Sequence, residues 1–309
     1  KPSEITPYTA YKLGEICANA NLPAGVLNIV HGHGITTGDA LINHEGVKAI
    51  SFTGGTATGK IIAQKTAGSF KKLSLEMGGK NPAIIFTDCD YKKMLKTVVE
   101  SSFSNQGQIC LSSSRILIQT EMFEQFKDDF IGKVADLIVG DPLDNRSSLG
   151  AISSKNHFEK VMNYIELSEK EGGKILYGGK VIQLNGRCKN GWFIEPTIVE
   201  GLNNVSKTNQ EEIFGPVVTL IPFEDEEDAI QKANESNYGL SATIWTEDKE
   251  RANRVSNHIA AGVVWVNCWL VRDLRTPFGG MKQSGLGREG GSEALRFFTE
   301  QKNVCTSTA

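Results

Sequence analysis

The tightest constraint on the fold is an alternation of short β-rich runs with stretches of helical period, repeated along almost the whole 309-residue chain. In the first 80 residues, Gly25-Val-Leu-Asn-Ile-Val30, Val47-Lys-Ala-Ile-Ser-Phe52 and Leu73-Ser-Leu75 read as strands, and Thr37 to Asn43 and Thr58 to Thr66 as helices. A second series starts at Asn81. Pro82-Ala-Ile-Ile-Phe86 reads as a strand, and Asp90 caps a helix whose Met94, Leu95, Val98, Val99 and Phe103 form one apolar stripe. Arg115 to Gln119 follows as a strand, and Phe123, Phe126, Phe130, Val134 and Leu137 mark a core-facing helix stripe. The alternation runs on through 217–223, 229–234, 241–245, 252–258 and 263–266. Strands joined by helices of this length need crossover connections, so the pattern implies βαβ units around a parallel sheet. Glycines stand where strand passes to helix, at Gly32, Gly34 and Gly38 and again at Gly54 and Gly55. Such turns let backbone amides approach a phosphate, although α/β proteins without that function share them.

Composition narrows the function classes. With 39% apolar residues, 22% charged residues and a formal charge of −3, the chain is globular in type and has no basic footprint for nucleic acid or a membrane surface. The six cysteines, Cys17, Cys89, Cys110, Cys188, Cys268 and Cys305, show no C-x-x-C spacing, so neither a metal site nor a disulfide framework is expected. A reducing, cytoplasmic setting is the simplest expectation. No apolar run reaches the roughly 20 residues that span a bilayer. The chain begins at Lys1, which raises the expectation of a fragment or processed product. The glycine pair at Gly78 sets the expected domain boundary, giving 1–78, 79–290 and a C-terminal segment 291–309.

Two motifs carry the chemistry. Cys110 closes the polar run Phe103-Ser-Asn-Gln-Gly-Gln-Ile-Cys110, and Glu76 lies 34 residues upstream in Leu73-Ser-Leu-Glu76-Met-Gly-Gly-Lys-Asn-Pro82. A thiolate adds readily to a carbonyl carbon, and a carboxylate flanked by apolar neighbours, as Glu76 is by Leu75 and Met77, gains a raised pKa suited to activating water. Alone, a cysteine is most often a buried inert residue and a turn glutamate a solvated one.

The company these residues keep is more specific. Lys1-Pro-Ser-Glu4, Phe52-Thr-Gly-Gly55, Leu75-Glu-Met-Gly-Gly-Lys-Asn-Pro82, Asn105-Gln-Gly-Gln-Ile-Cys110, Glu211-Glu-Ile-Phe-Gly-Pro216 and Pro277-Phe-Gly-Gly-Met-Lys-Gln-Ser-Gly-Leu-Gly-Arg-Glu289 occur in this order. Together they resemble the blocks of the NAD(P)-dependent aldehyde dehydrogenases. The resemblance implies an α/β fold with part of a Rossmann-like cofactor domain, an α/β catalytic domain, and a C-terminal oligomerisation strand over Phe297-Phe-Thr-Glu-Gln-Lys-Asn-Val304. It implies that Cys110 is the nucleophile and Glu76 the base, passing through a thiohemiacetal and a thioester. It places Lys1, Ser3, Glu4, Gly34, Gly54, Gly55, Gly78, Glu212 and Phe214 at the cofactor. Lys1 and Glu4 would hold the adenosine ribose, Gly54 and Gly55 would lie beside the pyrophosphate, and Glu212 and Phe214 would meet the nicotinamide ribose. Glu4 would accept from a 2′-hydroxyl and repel a 2′-phosphate, which favours NAD.

Two departures from the family pattern stand out. Gly55 replaces a serine usual after Phe-Thr-Gly, and the N-terminal segment that carries an oxyanion-hole asparagine and one hairpin strand is expected to be missing. Losing one such donor typically costs ~10² to 10³ in rate. The stretch Val266-Asn-Cys-Trp-Leu-Val-Arg-Asp-Leu-Arg-Thr276 resembles the 2-aminomuconate and 2-hydroxymuconate semialdehyde dehydrogenases. By that likeness Arg272, with Arg275 as second candidate, grips a substrate carboxylate, and Trp269 lines the pocket. The alternatives are a betaine or broad-range aldehyde dehydrogenase and a non-catalytic, crystallin-like protein. A homodimer or homotetramer is expected for the full-length protein, with a small aldehyde as substrate.

Overall fold

The computed structural model describes residues 1–308. The chain divides into two units, one of Lys1–Ile50 with Ala57–Leu73, the other of Ser51–Thr56 with the chain from Ser74 onward. The expected boundary residue Gly78 therefore lies inside the second unit, as does the segment from 291.

The second unit is organised by a seven-stranded sheet. Its order is Val263–Val266, Ser241–Trp245, Asn81–Ile85, Ser113–Gln119, Val217–Phe223, Thr197–Glu200 and Lys174–Tyr177. All neighbours are parallel except the last pair. The continuous apolar runs are explained by burial on both faces, as a parallel sheet covered by helices requires. Side chains alternate between the faces with period two. Ala83, Ile85, Ile116 and Ile118 join the core formed with helices Tyr91–Phe103 and Phe123–Ala135. Ile84, Phe86, Leu117 and Phe223 join the other, with helices Glu226–Asn234 and Lys249–His258. The phenylalanine stripe is core, with Phe126 and Phe130 stacked at 5.2 Å. Asp90 caps its helix by accepting from the Lys93 N–H at 3.1 Å.

A smaller pairing fixes the strand that carries Glu76. Lys72–Met77 runs antiparallel to Gly285–Leu286, with Gly285 opposite Glu76, and the Met77 N–H donates to the Ser284 carbonyl at 2.9 Å. The glycine-rich block near the end of the sequence thus braces a residue more than 200 positions earlier.

Two expectations fail. Gly25–Val30 forms turns and coil, with Gly25 at φ +86° and Val26, Leu27 and Val30 exposed. A strand is stable only through the neighbour that takes its backbone hydrogen bonds, and none pairs with it among the described residues. For the same reason the expected C-terminal strand is absent. Phe297 and Phe298 end the helix Gly291–Phe298, supported by a Glu293–Arg296 pair one turn apart, and 299–308 carry no regular structure. The first unit also holds a helix the patterns did not mark, Tyr8–Asn19, and a π-helical turn, Gly34–Gly38, leading into Asp39–Asn43.

Candidate active site

The helix Tyr91–Phe103 ends by delivering the chain into a left-handed bend. Asn105, Gln106 and Gly107 take φ of +51°, +58° and +67° in succession. Such backbone is costly for most residues and is tolerated by asparagine and glycine, which explains the composition of the run before the cysteine. Gly107 is fixed for a second reason, since a Cβ there would stand 2.3 Å from the Gly215 carbonyl oxygen.

Three side chains then hold Cys110 in place. The Asn81 amide donates to the carbonyls of Cys110 at 2.7 Å and Ser112 at 2.9 Å, while its oxygen accepts from the Ser241 N–H at 3.1 Å. The Trp269 indole N–H donates to the Leu111 carbonyl at 3.0 Å. Gln108 accepts from the Ser153 N–H at 3.0 Å. Trp269, expected at the substrate, is thus tied to the Cys110 loop and packs in the cluster around Leu111, Leu240 and Trp265. Burial pushes the Cys110 thiol above its ordinary range, with the charges of Glu212 and Glu76 adding to the shift and Arg272 opposing it.

Glu76 is 5% exposed, and neither carboxylate oxygen has a hydrogen-bond partner. Burial, reinforced by the charge of Glu289 and partly offset by Arg288 and Arg272, raises its pKa to about 7. Such a group gives up and takes protons near neutral pH. Gly279 leaves room for it, because a Cβ there would meet the Glu76 Oε1 at 2.8 Å.

Glu212 lies against the glycine pair of the same block. Its Oε1 accepts from the Gly79 N–H at 3.2 Å, and a Cβ on Gly78 would fall 1.9 Å from its Oε2. Burial raises its pKa, against the pull of the Gly79 amide, Lys160 and Lys80. Phe214, at φ +60°, offers its carbonyl to His157 Nε2 at 2.6 Å, and Lys160 donates to the Glu212 carbonyl at 2.8 Å. His157 and Lys160 share one face of the helix Lys155–Lys170 and buttress this turn. Nothing in their sequence spacing pointed to the site. Asn81 and Lys80 did carry a signal, being polar residues between a glycine pair and a wholly buried strand.

The arginines differ. The Arg272 guanidinium stacks 4.2 Å from the Phe278 ring centroid, and its charge reaches both Glu76 and Cys110. Arg275 is 87% exposed and held in a two-point ion pair with Asp273. Its guanidinium is committed there, away from the cluster that Arg272 joins.

Of the expected cofactor residues, Gly54, Gly55, Gly78, Glu212 and Phe214 belong to the second unit and Lys1, Ser3, Glu4 and Gly34 to the first. Gly55 has open space where a Cβ would stand. In the first unit Lys1 pairs with Glu4 at 3.0 Å, Ser3 accepts from the Ile5 N–H at 3.3 Å, and Gly34 opens the π-helical turn. Among the described residues no cluster of histidine, cysteine or acid could hold a metal, and no helix is long and apolar enough to cross a membrane.

Comparison with known proteins bears on this arrangement. Residues 1–304 match the Aldehyde dehydrogenase family. The chain is similar to the 2-aminomuconic semialdehyde dehydrogenase of Danio rerio, 49% identical over 306 residues that cover 98% of this chain and 63% of that protein. It is 44% identical to the 2-hydroxymuconic semialdehyde dehydrogenase of Pseudomonas sp. strain CF600, covering 99% of this chain and 63% of that one. Among solved structures, betaine aldehyde dehydrogenase from Staphylococcus aureus in complex with NAD+ superposes with a TM-score of 0.91 at 38% identity, over 95% of this chain and 58% of that one. The chain spans about 63% of the length of the curated relatives it matches.

Proposed function

Because the chain belongs to the aldehyde dehydrogenase family, we propose that it carries the catalytic centre of an NAD-dependent enzyme that oxidises a carboxylated semialdehyde to the acid. One observation carries this: the buried, unpartnered Glu76, with a pKa near 7, shares a site with the firmly held Cys110. The residues present suit NAD, because Gly55 offers an open turn and Glu212 sets a carboxylate acceptor over Gly78 and Gly79. NAD would supply the acceptor for the hydride that leaves the aldehyde carbon.

The rest of the chemistry falls to the chain. Cys110 Sγ adds to the aldehyde carbon, and the Cys110 N–H faces the developing oxyanion. The thioester left after oxidation is attacked by a water whose proton passes to Glu76, and acid is released with Cys110 restored. Arg272 orients the substrate by pairing with its remote carboxylate. The same charge disfavours a cationic substrate such as betaine aldehyde. In this reading both catalytic residues, Cys110 and Glu76, belong to the second unit. A reducing, cytoplasmic setting, which the scattered cysteine spacing suits, and a homo-oligomer are proposed with it.

The test is to supply NAD with either succinate semialdehyde or butyraldehyde, following NADH absorbance and the mass of the Cys110 peptide for an acyl adduct. Acyl adducts on Cys110 are expected from both aldehydes. Arg272→Ala should raise KM for the carboxylated aldehyde by ~10-fold or more, equivalent to a charge-assisted contact of about 1.5 kcal/mol, and leave KM for butyraldehyde unchanged. Equal effects on both aldehydes would refute the role of Arg272, and adducts on another cysteine the role of Cys110.

A further inference from the structure

The loop that carries Arg272 is tied down by two indoles. Trp265, buried on the strand Val263–Val266, donates its N–H to the Val271 carbonyl at 2.8 Å, one residue before Arg272. Trp269 donates to the Leu111 carbonyl at 3.0 Å, one residue after Cys110. Between the two ties the chain turns back through Leu270, a residue other than glycine at φ +59°, and Asn267 bends the same way at φ +53°. Such backbone is costly and persists only where its surroundings hold it. Asn267 is held by its own side chain, which donates to the Thr246 carbonyl at 2.8 Å and accepts from the Thr246 N–H at 3.1 Å. Leu270 is held by the indole bonds on its two sides.

The same cluster supports the guanidinium. Cys110, Trp269 and Phe278 all pack against the buried group of Leu111, Leu240 and Trp265. Arg272 lies over the Phe278 ring, 4.2 Å from its centroid. A cation over a ring face is attracted by the ring quadrupole, and the in-plane N–H groups of a guanidinium so placed stay open to a carboxylate. Arg272 is exposed, and among the described residues no ion pair of the kind that locks Arg275 to Asp273 holds it. Ordering a loose side chain opposes binding, so an arginine set in place beforehand grips an anion more strongly. Its setting falls to the loop backbone and the ring beneath it.

We propose that Trp265 is a specificity-determining residue: through its bond to the Val271 carbonyl it sets Arg272 over Phe278 at a fixed span from Cys110, and so favours aldehydes whose other end is a carboxylate. It is a positioning residue, because it acts through Arg272. Trp265 holds the arginine's loop and Trp269 the cysteine's, so the span between thiol and guanidinium belongs to the fold rather than to two independent side chains. The inference rests on Arg272 being the carboxylate grip, and its test keeps the two apart.

The measurement compares two alkylating agents of similar size on the 309-residue chain: iodoacetate, which bears a carboxylate, and iodoacetamide, which does not. Their rates at Cys110 are read by peptide mass spectrometry at one pH and ionic strength, and their ratio reports the cation that receives the carboxylate. A change in thiol ionisation or access alters both rates and cancels in the ratio. Arg272→Ala should lower the ratio of iodoacetate to iodoacetamide roughly tenfold, as expected for one charge-assisted contact. Trp265→Phe keeps an aromatic ring, loses the N–H donor, and should lower the ratio about threefold or more. In the Arg272→Ala background it should have no further effect. Phe278→Leu should act as Trp265→Phe does, and Leu240→Val, a packing change in the same cluster that spares the bond, should leave the ratio unchanged. An unchanged ratio in folded Trp265→Phe, a further fall when Arg272 is already alanine, or an equal fall in Leu240→Val overturns the proposal. If Trp265→Phe does not fold, an unchanged ratio in Phe278→Leu overturns it instead. A ratio unmoved by Arg272→Ala refutes the carboxylate grip itself, and with it the basis of the inference.

Discussion

Replacing Glu76 by glutamine tests whether the proposed base is poised as its surroundings require, and it does so without turnover. The folded pKa of about 7 stands above the ordinary value of 4.5, so the folded chain holds a proton that the unfolded chain has already lost. The stabilisation from this proton is complete below pH 4.5 and is lost as pH rises through 7. Between pH 5 and pH 8 the loss amounts to about 2.5 kcal/mol, taking about 1.4 kcal/mol per pKa unit. The amide that replaces the carboxyl in the variant cannot ionise, so this titration is removed. Urea unfolding at the two pH values should therefore show the parent losing about 2.5 kcal/mol more than Glu76→Gln on going to pH 8. Parallel losses would show that Glu76 is solvated like a surface carboxylate, and the argument for it as the water-activating base would fall. Where turnover is followed, thioester hydrolysis should rise with pH through about 7 in the parent and stay low and flat in the variant.

Three further changes probe the surroundings of this pair. Glu289→Gln removes the largest charge effect raising the Glu76 pKa, so the acid limb of thioester hydrolysis should move to lower pH; an unmoved limb would contradict that coupling. Trp269→Phe strips the Leu111 carbonyl of its indole donor and should cost about 1–3 kcal/mol in thermal or urea unfolding, with slower or less uniform Cys110 alkylation. Gly107→Ala combines a φ of +67° with a Cβ 2.3 Å from a backbone oxygen, and should destabilise by more than about 2 kcal/mol. A melting temperature close to the parent's would mean that the left-handed bend is not required.

How much of this was legible in the sequence depended on where the stabilising interactions lie. Runs such as 82–86, 217–223 and 241–245 announce themselves because a strand buried on both faces must be apolar throughout. Gly25–Val30 has the same look but lacks a partner to complete its hydrogen bonds, and a strand's fate is decided by its neighbour. The helix Tyr8–Asn19, which the patterns did not mark, buries no residue among those described. Cys110 and Glu76 were legible through the blocks around them, and the structure added their supports. Asn81 stood inside a recognised block without an evident task, whereas His157 and Lys160 come from a helix whose only tie to the site is spatial.

Glu76 and Glu212 are two buried carboxylates in different surroundings, which suits them to the different roles proposed. Both are raised by burial, but only Glu212 is answered by a backbone N–H from Gly79 and by the fields of Lys160 and Lys80. Compensation of this kind works against the upward shift and suits a carboxylate to accept, whereas one left bare favours the proton and can exchange it with water. The difference traces to the backbone. Glu76 lies on a strand whose hydrogen bonds are completed by Met77 to Ser284, so no amide turns toward its side chain, while Gly78 and Gly79 present bare backbone to Glu212. The sequence Glu-Met-Gly-Gly therefore assigns the two roles, and Gly79→Ala should change them. A Cβ there would stand 2.4 Å from the Asn81 side-chain oxygen, displacing both the amide that Glu212 accepts from and the asparagine that holds Cys110. Cys110 alkylation and Glu76 titration read on that variant should separate: the first should be altered, and the second should keep its midpoint near 7. A shift in both would place Glu76 under the control of the Glu212 turn and refute the division of roles.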